Sequence, residues 1–247
     1  MNVKNLLAAC FISIGTMMTG AALAAPVLVF STDFDGVLPA AISPGSATLT
    51  GVQGFDGLGP VGNQFGGNFL RSATGNTVML TLNGLPAHDT ISLSFLFAAI
   101  DSLDGTGTFP AGDFFKIVFD GNTLFSESFA NADPSQIQSY VPPAGVELAR
   151  HANLGFSGPG GFYTDSAYNF GADSTFANFA HTASSVTIEF FIFGVGNQSL
   201  DDESWAMDNL RVSVTTRAGQ VPEPASGVLL LIAAAGMLAV YFARRKV

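Results

Sequence analysis

The chain has 247 residues, of which 48% are hydrophobic and only 11% are charged, and its formal net charge is −10. Lys4, Arg244, Arg245 and Lys246 place four of the nine basic residues at the two ends, whereas Glu223 alone of the 19 acidic residues lies outside the intervening body. So acidic a body cannot neutralise phosphates, which excludes nucleic-acid binding, and it offers no basic patch to a membrane; its acids serve solubility or hold divalent cations.

The first element is a leader. Lys4 is the only charge before Asp33, an apolar run follows from Leu6 to Met18, and Ala22-Leu23-Ala24 supplies a small-x-small site. That order is a secretory signal peptide spanning residues 1–25, cleaved after Ala24 or Ala25. Leu7-Ala8-Ala9-Cys10 fits a lipoprotein box by residue type, but cleavage there would leave almost no apolar region in front of the cut. Cys10, the only cysteine, is therefore expected to leave with the leader, so the mature chain has no disulfide. A body of residues 26–220 is long enough to bury a core without one.

Strands are expected next, at Pro26 to Thr32, Ala47 to Val52 and Thr77 to Leu82. Thr90 to Ala98 alternates with Ile91, Leu93, Phe95 and Phe97 on one face. Phe114 to Asp120 turns Phe115, Ile117 and Phe119 inward and Lys116 outward. Asp120-Gly121-Asn122 signals a tight hairpin into a strand over Thr123 to Phe129. Ser185 to Gly194 sets Val186, Ile188, Phe190 and Ile192 on one face, and Asn209 to Val214 closes the series. Period-two runs bounded by Gly, Asn, Asp and Pro predict a mostly β fold, an antiparallel two-sheet sandwich of jelly-roll type whose phenylalanines fill the space between sheets.

Residues 130–184 interrupt this rhythm. Pro134, Pro142, Pro143 and the Gly-Pro-Gly-Gly run at 158–161 punctuate an irregular insertion, in which Val146 to Ala152 is expected as a short helix. Its aromatic residues either stack on sugar faces, with Tyr163 and Tyr168 as glycan-binding candidates, or fold the insertion back onto the sandwich; the large area an aromatic ring buries favours the second.

The last strand carries the sharpest cluster. Asp208 has the parity of Leu210, Val212 and Val214, so its carboxylate is expected to point into the sandwich, where an unpaired charge is costly. Arg211 has the opposite parity, and the body holds few other bases, which leaves a cation or a set of backbone N–H groups as partner. Calcium takes several carboxylate and carbonyl oxygens from irregular loops. The expected metal ligands are Asp208, Asp33 or Asp35 from the end of the first strand, and Asp101, Asp104 and Asp202, with oxygens from the 101–104 and 201–203 segments around one ion.

No catalytic constellation stands out. His88, His151 and His181 lack metal spacing, and Pro159 spoils the near Gly-x-Ser-x-Gly match at Gly155 to Pro159. The chain has many carboxylates but nothing singles out a glycosidase pair.

The final element is a tail over residues 221–247. Ala225 to Ala243 carries no charge. As a helix these residues would reach about 28 Å, close to the ~30 Å of a hydrocarbon core. Arg244, Arg245 and Lys246 would stay in the cytoplasm and leave the body outside. Val221, Pro222, Glu223 and Pro224 stand before this span as an extended, accessible segment.

That ordered set, Val-Pro-Glu-Pro, a single span and terminal Arg-Arg-Lys, resembles the PEP-CTERM sorting signal of exported proteins in Gram-negative bacteria. The resemblance implies an inner-membrane-anchored precursor and an exosortase-type partner that cuts near Pro-Glu-Pro and delivers the body to the cell surface or medium, often alongside exopolysaccharide and biofilm. In the body, Asp33-Phe34-Asp35 early and Asp208-Asn209 before alternating Leu and Val resemble carbohydrate-binding-module-like jelly rolls. That resemblance implies a structural calcium between first and last strands. The expected function is a structural or glycan-interacting extracellular matrix protein, with an enzyme acting on extracellular polysaccharide as the competing class.

Overall fold

The computed structural model describes residues 25–106, 112–132, 135–157 and 163–216. They belong to one compact unit, Ala24–Thr216. The leader up to Ala24 and the tail from Arg217 onward lie outside the described residues. Among the described residues no helix is long and apolar enough to cross a membrane.

In chain order the strands are β1 (Val27–Thr32), β2 (Ile42–Ser43), β3 (Thr48–Gly51), β4 (Asn68–Ala73), β5 (Thr77–Asn83), β6 (Thr90–Asp101), β7 (Phe114–Phe119), β8 (Asn122–Ser128), β9 (Glu147–Ala152), β10 (Asp165–Asn169), β11 (Phe179–Ala180), β12 (Ser185–Phe193) and β13 (Glu203–Thr215). They form an antiparallel two-sheet sandwich. The larger sheet runs β3-β4-β13-β6-β10-β9, with β1 added to the far half of β13 and β11 to the start of β6; the smaller runs β2-β5-β12-β7-β8. Every strand expected from period-two patterning is present, and the inward residues of β6, β7 and β12 meet in one core between the sheets. Asp120 and Gly121 take φ of 46° and 78° between paired Phe119 and Asn122. Two positive φ values in a two-residue loop match the right-handed twist of the strands, which is why Asp-Gly closes this hairpin.

The centre of the larger sheet is buried on both faces. Phe95, Phe97, Trp205 and Met207 face the smaller sheet, while Leu96, Ala98, Ile100 and Ala206 face a second apolar cluster with Val52, Phe55, Phe65, Phe69 and Phe156. The 52–67 segment therefore acts as a lid over the outer face. This explains the unbroken apolar run Phe95 to Ile100, which a half-exposed strand would not show.

Two expectations about residues 130–184 are corrected. Val146 to Ala152 is not helical: Glu147–Ala152 is β9, paired with β10. The irregular insertion also contributes β10, which joins the larger sheet beside β6 with Tyr168 opposite Phe97. Backbone pairing to an existing sheet decided both segments, where the local pattern was ambiguous.

Candidate functional site

Asp208 does not point between the sheets. Asp208 pairs with Leu96 and Arg211 with Ser94, so Asn209 and Leu210 together oppose one residue of β6. This is a β-bulge, and Asn209 sits in it at φ 52°, a left-handed conformation that Asn tolerates better than most side chains. The extra residue flips parity: Leu210, Val212 and Val214 share the core with Trp205 and Met207, whereas Asp208 lies on the outer face with Ala206. There Asp208 accepts from the N–H of Gly66 at 3.2 Å and of Asn209 at 2.6 Å, holding the lid against β13. Burial raises its carboxyl to about 7; these two N–H groups oppose the rise, and the charges of Asp35 and Asp33 add to it. Asp35 accepts from Asn68 N at 2.6 Å, and Asp33 from Asp35 N at 3.2 Å. Asp35 and Asp208 thus hold neighbouring N–H groups, of Asn68 at the start of β4 and of Gly66 in the lid.

The other expected ligands are elsewhere. Five residues of strand, about 16 Å, separate Asp208 from Glu203 at the start of β13. A single ion drawing on both ends is therefore ruled out. At the Glu203 end, carboxylate oxygens of Asp104, Asp113 and Glu203 all lie within 4.8 Å of one another. Glu203 has the parity of Trp205, and Asp113 that of Phe115, so both are carried in the register of the inter-sheet core. Asp113 accepts from Asp104 N at 2.8 Å; Asp104 accepts from Gln136 Nε2 at 2.6 Å. Glu203 accepts from Gln198 Nε2 at 2.7 Å and from Thr74 Oγ1 at 3.4 Å. Gly194 leaves room for the cluster, since a Cβ there would meet Asp113 Oδ1 at 2.3 Å.

Among the described residues no base forms an ion pair with this rim. Arg71 is spent nearby: Nε donates to Ser204 Oγ at 2.9 Å, Nη2 to the Leu200 carbonyl at 2.5 Å, and the guanidinium lies 4.7 Å from the Phe156 ring centroid. Burial, then the Asp113 charge, raises Glu203 to about 7. Burial raises Asp113 to about 6, with Asp104 adding its charge and the Asp104 N–H and the Glu203 carboxyl hydrogen-bonding against the rise. The rim thus either holds protons or holds a cation. Asp101 answers to a different set: burial, Asp165 and Asp202 raise it to about 6, and Arg71 lowers it. Asp202 is held by Ser102, whose Oγ donates to its carboxylate at 3.1 Å.

Of the six individually nominated carboxylates, only Asp104 belongs to the three-acid rim; Glu203 was expected only as part of the 201–203 segment, and Asp113 not as a ligand. Their signal was available in the parity of Phe115 and Trp205. Of the two nominated tyrosines, Tyr168 is corrected. It is fully buried, pairs with Phe97, Phe129 and Tyr140 rings, and donates its hydroxyl to Gln138 Oε1 at 2.9 Å. No sugar reaches it. Tyr163 is half-buried. A polar groove of about 470 Å³ runs beside the edge strand β8, lined by Glu127, Ser139, Tyr140, Asp173 and Thr175 among others. Tyr140 donates to Asp173 Oδ2 at 2.6 Å. Burial pushes the Asp173 carboxyl up, but Tyr140 and the Thr175 N–H donating to it hold it below its ordinary value.

Comparison with known proteins identifies residues 220–246 as a PEP-CTERM protein-sorting motif. The motif implies an exported protein, held in the membrane before exosortase cleavage. Its residues, Val221 to Pro224 and Arg244 to Lys246, lie outside the described residues. No curated protein matches the chain. Among solved structures, the body is similar to a cycloisomaltooligosaccharide glucanotransferase of Paenibacillus sp., at 14% identity and a TM-score of 0.35, over 73% of this chain and 18% of that one. The chain thus spans about 18% of the length of the first solved structures it matches. It is also similar to a family 35 carbohydrate-binding module from Clostridium thermocellum (10% identity, TM-score 0.30, 76% of this chain and 98% of that). A third is the CBM22-2 xylan-binding domain from Paenibacillus barcinonensis Xyn10C (13% identity, TM-score 0.30, 75% and 98%).

Proposed function

We propose that this chain is an extracellular matrix protein of the cell envelope, delivered by its sorting tail, whose β-sandwich body interacts with extracellular glycan. The observation that carries this reading is the sorting motif at residues 220–246 attached to a single compact β body. The β8 groove is the surface we assign to the glycan. Its volume of about 470 Å³ lies in the range of pockets that hold small ligands, and Glu127 and Asp173 supply acceptors for sugar hydroxyls. The acidic rim of Asp104, Asp113 and Glu203 is assigned to one structural calcium, which accepts carboxylate oxygens from irregular loops and offsets their mutual repulsion. The test is binding of the purified exported protein to the exopolysaccharide of its host, by calorimetry, together with an assay for new reducing ends. Binding without new ends supports the reading. New reducing ends would transfer the protein to the enzyme class, and no binding at all would leave it a matrix component without a glycan ligand.

A further inference from the structure

At the end of β6 opposite the acidic rim, two histidines meet. His88 precedes β6, and its Nδ1 lies 2.6 Å from the carbonyl oxygen of Pro86. Its Nε2 lies 2.6 Å from Nδ1 of His181, just after β11. His181 Nε2 in turn lies 3.2 Å from Oδ2 of Asp120 in the β7–β8 turn. The two ring planes are within 18° of parallel and their centroids are 4.9 Å apart. That separation is close to the N···N distance plus the two ring radii, so the rings meet edge to edge, with the nitrogens in line for a hydrogen bond.

Counting protons along this chain gives a definite answer. A carbonyl oxygen and a carboxylate only accept, and a neutral imidazole has one N–H and one lone pair. His88 Nδ1 must therefore donate to Pro86. His88 Nε2 is then a lone pair and accepts from His181 Nδ1. This leaves His181 Nε2, in the neutral ring, with a lone pair facing the Asp120 carboxylate. Three contacts need three protons, and two neutral rings bring two. The third comes from solvent, and the charge it brings is balanced by Asp120.

We propose that His88 and His181 form a proton-operated latch between the two sheets: uptake of one proton by the pair closes the His181–Asp120 contact, and its loss opens it. The two halves are anchored on different sheets. Asp120 N donates to the Thr187 carbonyl at 2.9 Å, and Asp120 Oδ1 accepts from Thr187 N at 2.8 Å, which fixes the carboxylate to β12 of the smaller sheet. His181 N donates to the Asp89 carbonyl at 3.1 Å, and Phe179 pairs with Ile91, which fix the imidazole to the larger sheet. Among the described residues, the charged groups at the latch are Asp120 on the turn and Asp89 next to His88, and the Phe119 ring packs edge-on against His181 and against Phe179. His181 and Asp120 also line a pocket of about 250 Å³ with Phe119, Leu124 and Phe179, so the latch forms part of its wall.

The test uses the exported protein, its D120N and D120A variants, and a pH series from about 5 to about 8, across the range where histidine changes charge. The amide introduced by D120N brings its own N–H to the His181 lone pair and keeps an oxygen for Thr187 N, so that variant closes the latch without a proton. D120A closes it in neither state. With one proton shared, the ¹⁵N imidazole resonances of His88 and His181 should shift together and account for one proton, not two. The melting temperature of wild type should fall relative to D120N as pH rises, and D120A should lose most against wild type at low pH. Acids elsewhere change all three proteins alike and cancel in these differences. Independent titration of the two rings with a proton each, or a wild-type to D120N difference that stays constant with pH, overturns the latch. Should D120N be unstable at every pH, the ring resonances of wild type decide alone.

Discussion

Replacing Glu203 with glutamine tests what neutralises the acidic rim. The substitution keeps shape and leaves an oxygen for Gln198 Nε2, while Thr74 Oγ1 can accept where it now donates. The carboxyl of Glu203 is raised from 4.5 to about 7 by burial and by Asp113. A raised carboxyl contributes stability that is fully present below its unfolded value and is lost as pH climbs through its folded one, here from about pH 4 to about pH 7. At roughly 1.4 kcal/mol per pKa unit, ionising Glu203 costs the native state about 3.5 kcal/mol at most, part of it shared with Asp113. For a body of this size that is a melting shift of roughly 7–14 °C as an upper bound. In chelator at about pH 8, Glu203→Gln should therefore melt several degrees above wild type, and near about pH 4 the two should converge. Calcium at about a hundredfold excess over its dissociation constant should return about 2.7 kcal/mol to wild type and little to the variant. Differential scanning calorimetry reads both arms. A wild-type melting temperature that ignores both pH and calcium, with the variant superimposed on it, would show that the rim's charges are already relaxed by solvent and that no ion belongs there.

Four shorter expectations accompany it. Mass spectrometry of the extracellular form should find no peptide from the Leu229 to Tyr241 segment, because exosortase cleavage near Pro222-Glu223-Pro224 removes it; a full tail on released protein would contradict the sorting route. A reporter fused after Val247 of the uncleaved precursor should work only in the cytoplasm, where Arg244, Arg245 and Lys246 are retained, and activity restricted to the periplasm would reverse the topology. Tyr168→Phe should cost about 1 kcal/mol of stability, measured by denaturant unfolding, because Gln138 Oε1 loses its buried donor, while glycan binding stays unchanged. Glu127→Gln should weaken glycan binding in calorimetry several-fold without moving the melting temperature, since Glu127 lines the groove and is only partly buried; an unchanged affinity would move the glycan off this groove.

Most of the fold was legible because it is written in side-chain alternation. The alternation in β6, β7 and β12 reports which side faces the core, and the sheets use it as read. What the sequence did not disclose are elements that exist by pairing alone. β9 reads Glu-Leu-Ala-Arg-His-Ala, with half-exposed side chains and no period-two signature, and is a strand because β10 offers it a ladder. β10 is buried throughout, so its Asp-Ser-Ala-Tyr-Asn carries no alternation either. Its acid and its serine hydroxyl are spent inside: Asp165 accepts from Asp101 N and Leu154 N, and Ser166 donates to Asn131. Polar residues in this stretch looked like loop chemistry and are in fact the hydrogen-bonding of a doubly covered sheet.

The acids show the same limit at finer grain. Parity counted backward from Leu210, Val212 and Val214 places Asp208 in the core; parity taken from Trp205 and Met207 places Glu203 there instead, and Asp208 on the outer face. Both counts are correct on their own side of the bulge, and one added residue at Asn209 makes them disagree. Had the strand been regular, Asp208 would have entered the inter-sheet core with no donor to meet it. The bulge turns it outward, where the Gly66 N–H of the lid supplies one, and so the residue that disrupts the ladder also gives a buried carboxylate its partner. An Asx residue that tolerates positive φ, set directly after an acid and before a resumed apolar alternation, is the sequence trace of that exchange. The rim acids Asp113 and Glu203, which no bulge turns outward, stay close to Asp104 with their carboxyls raised by burial.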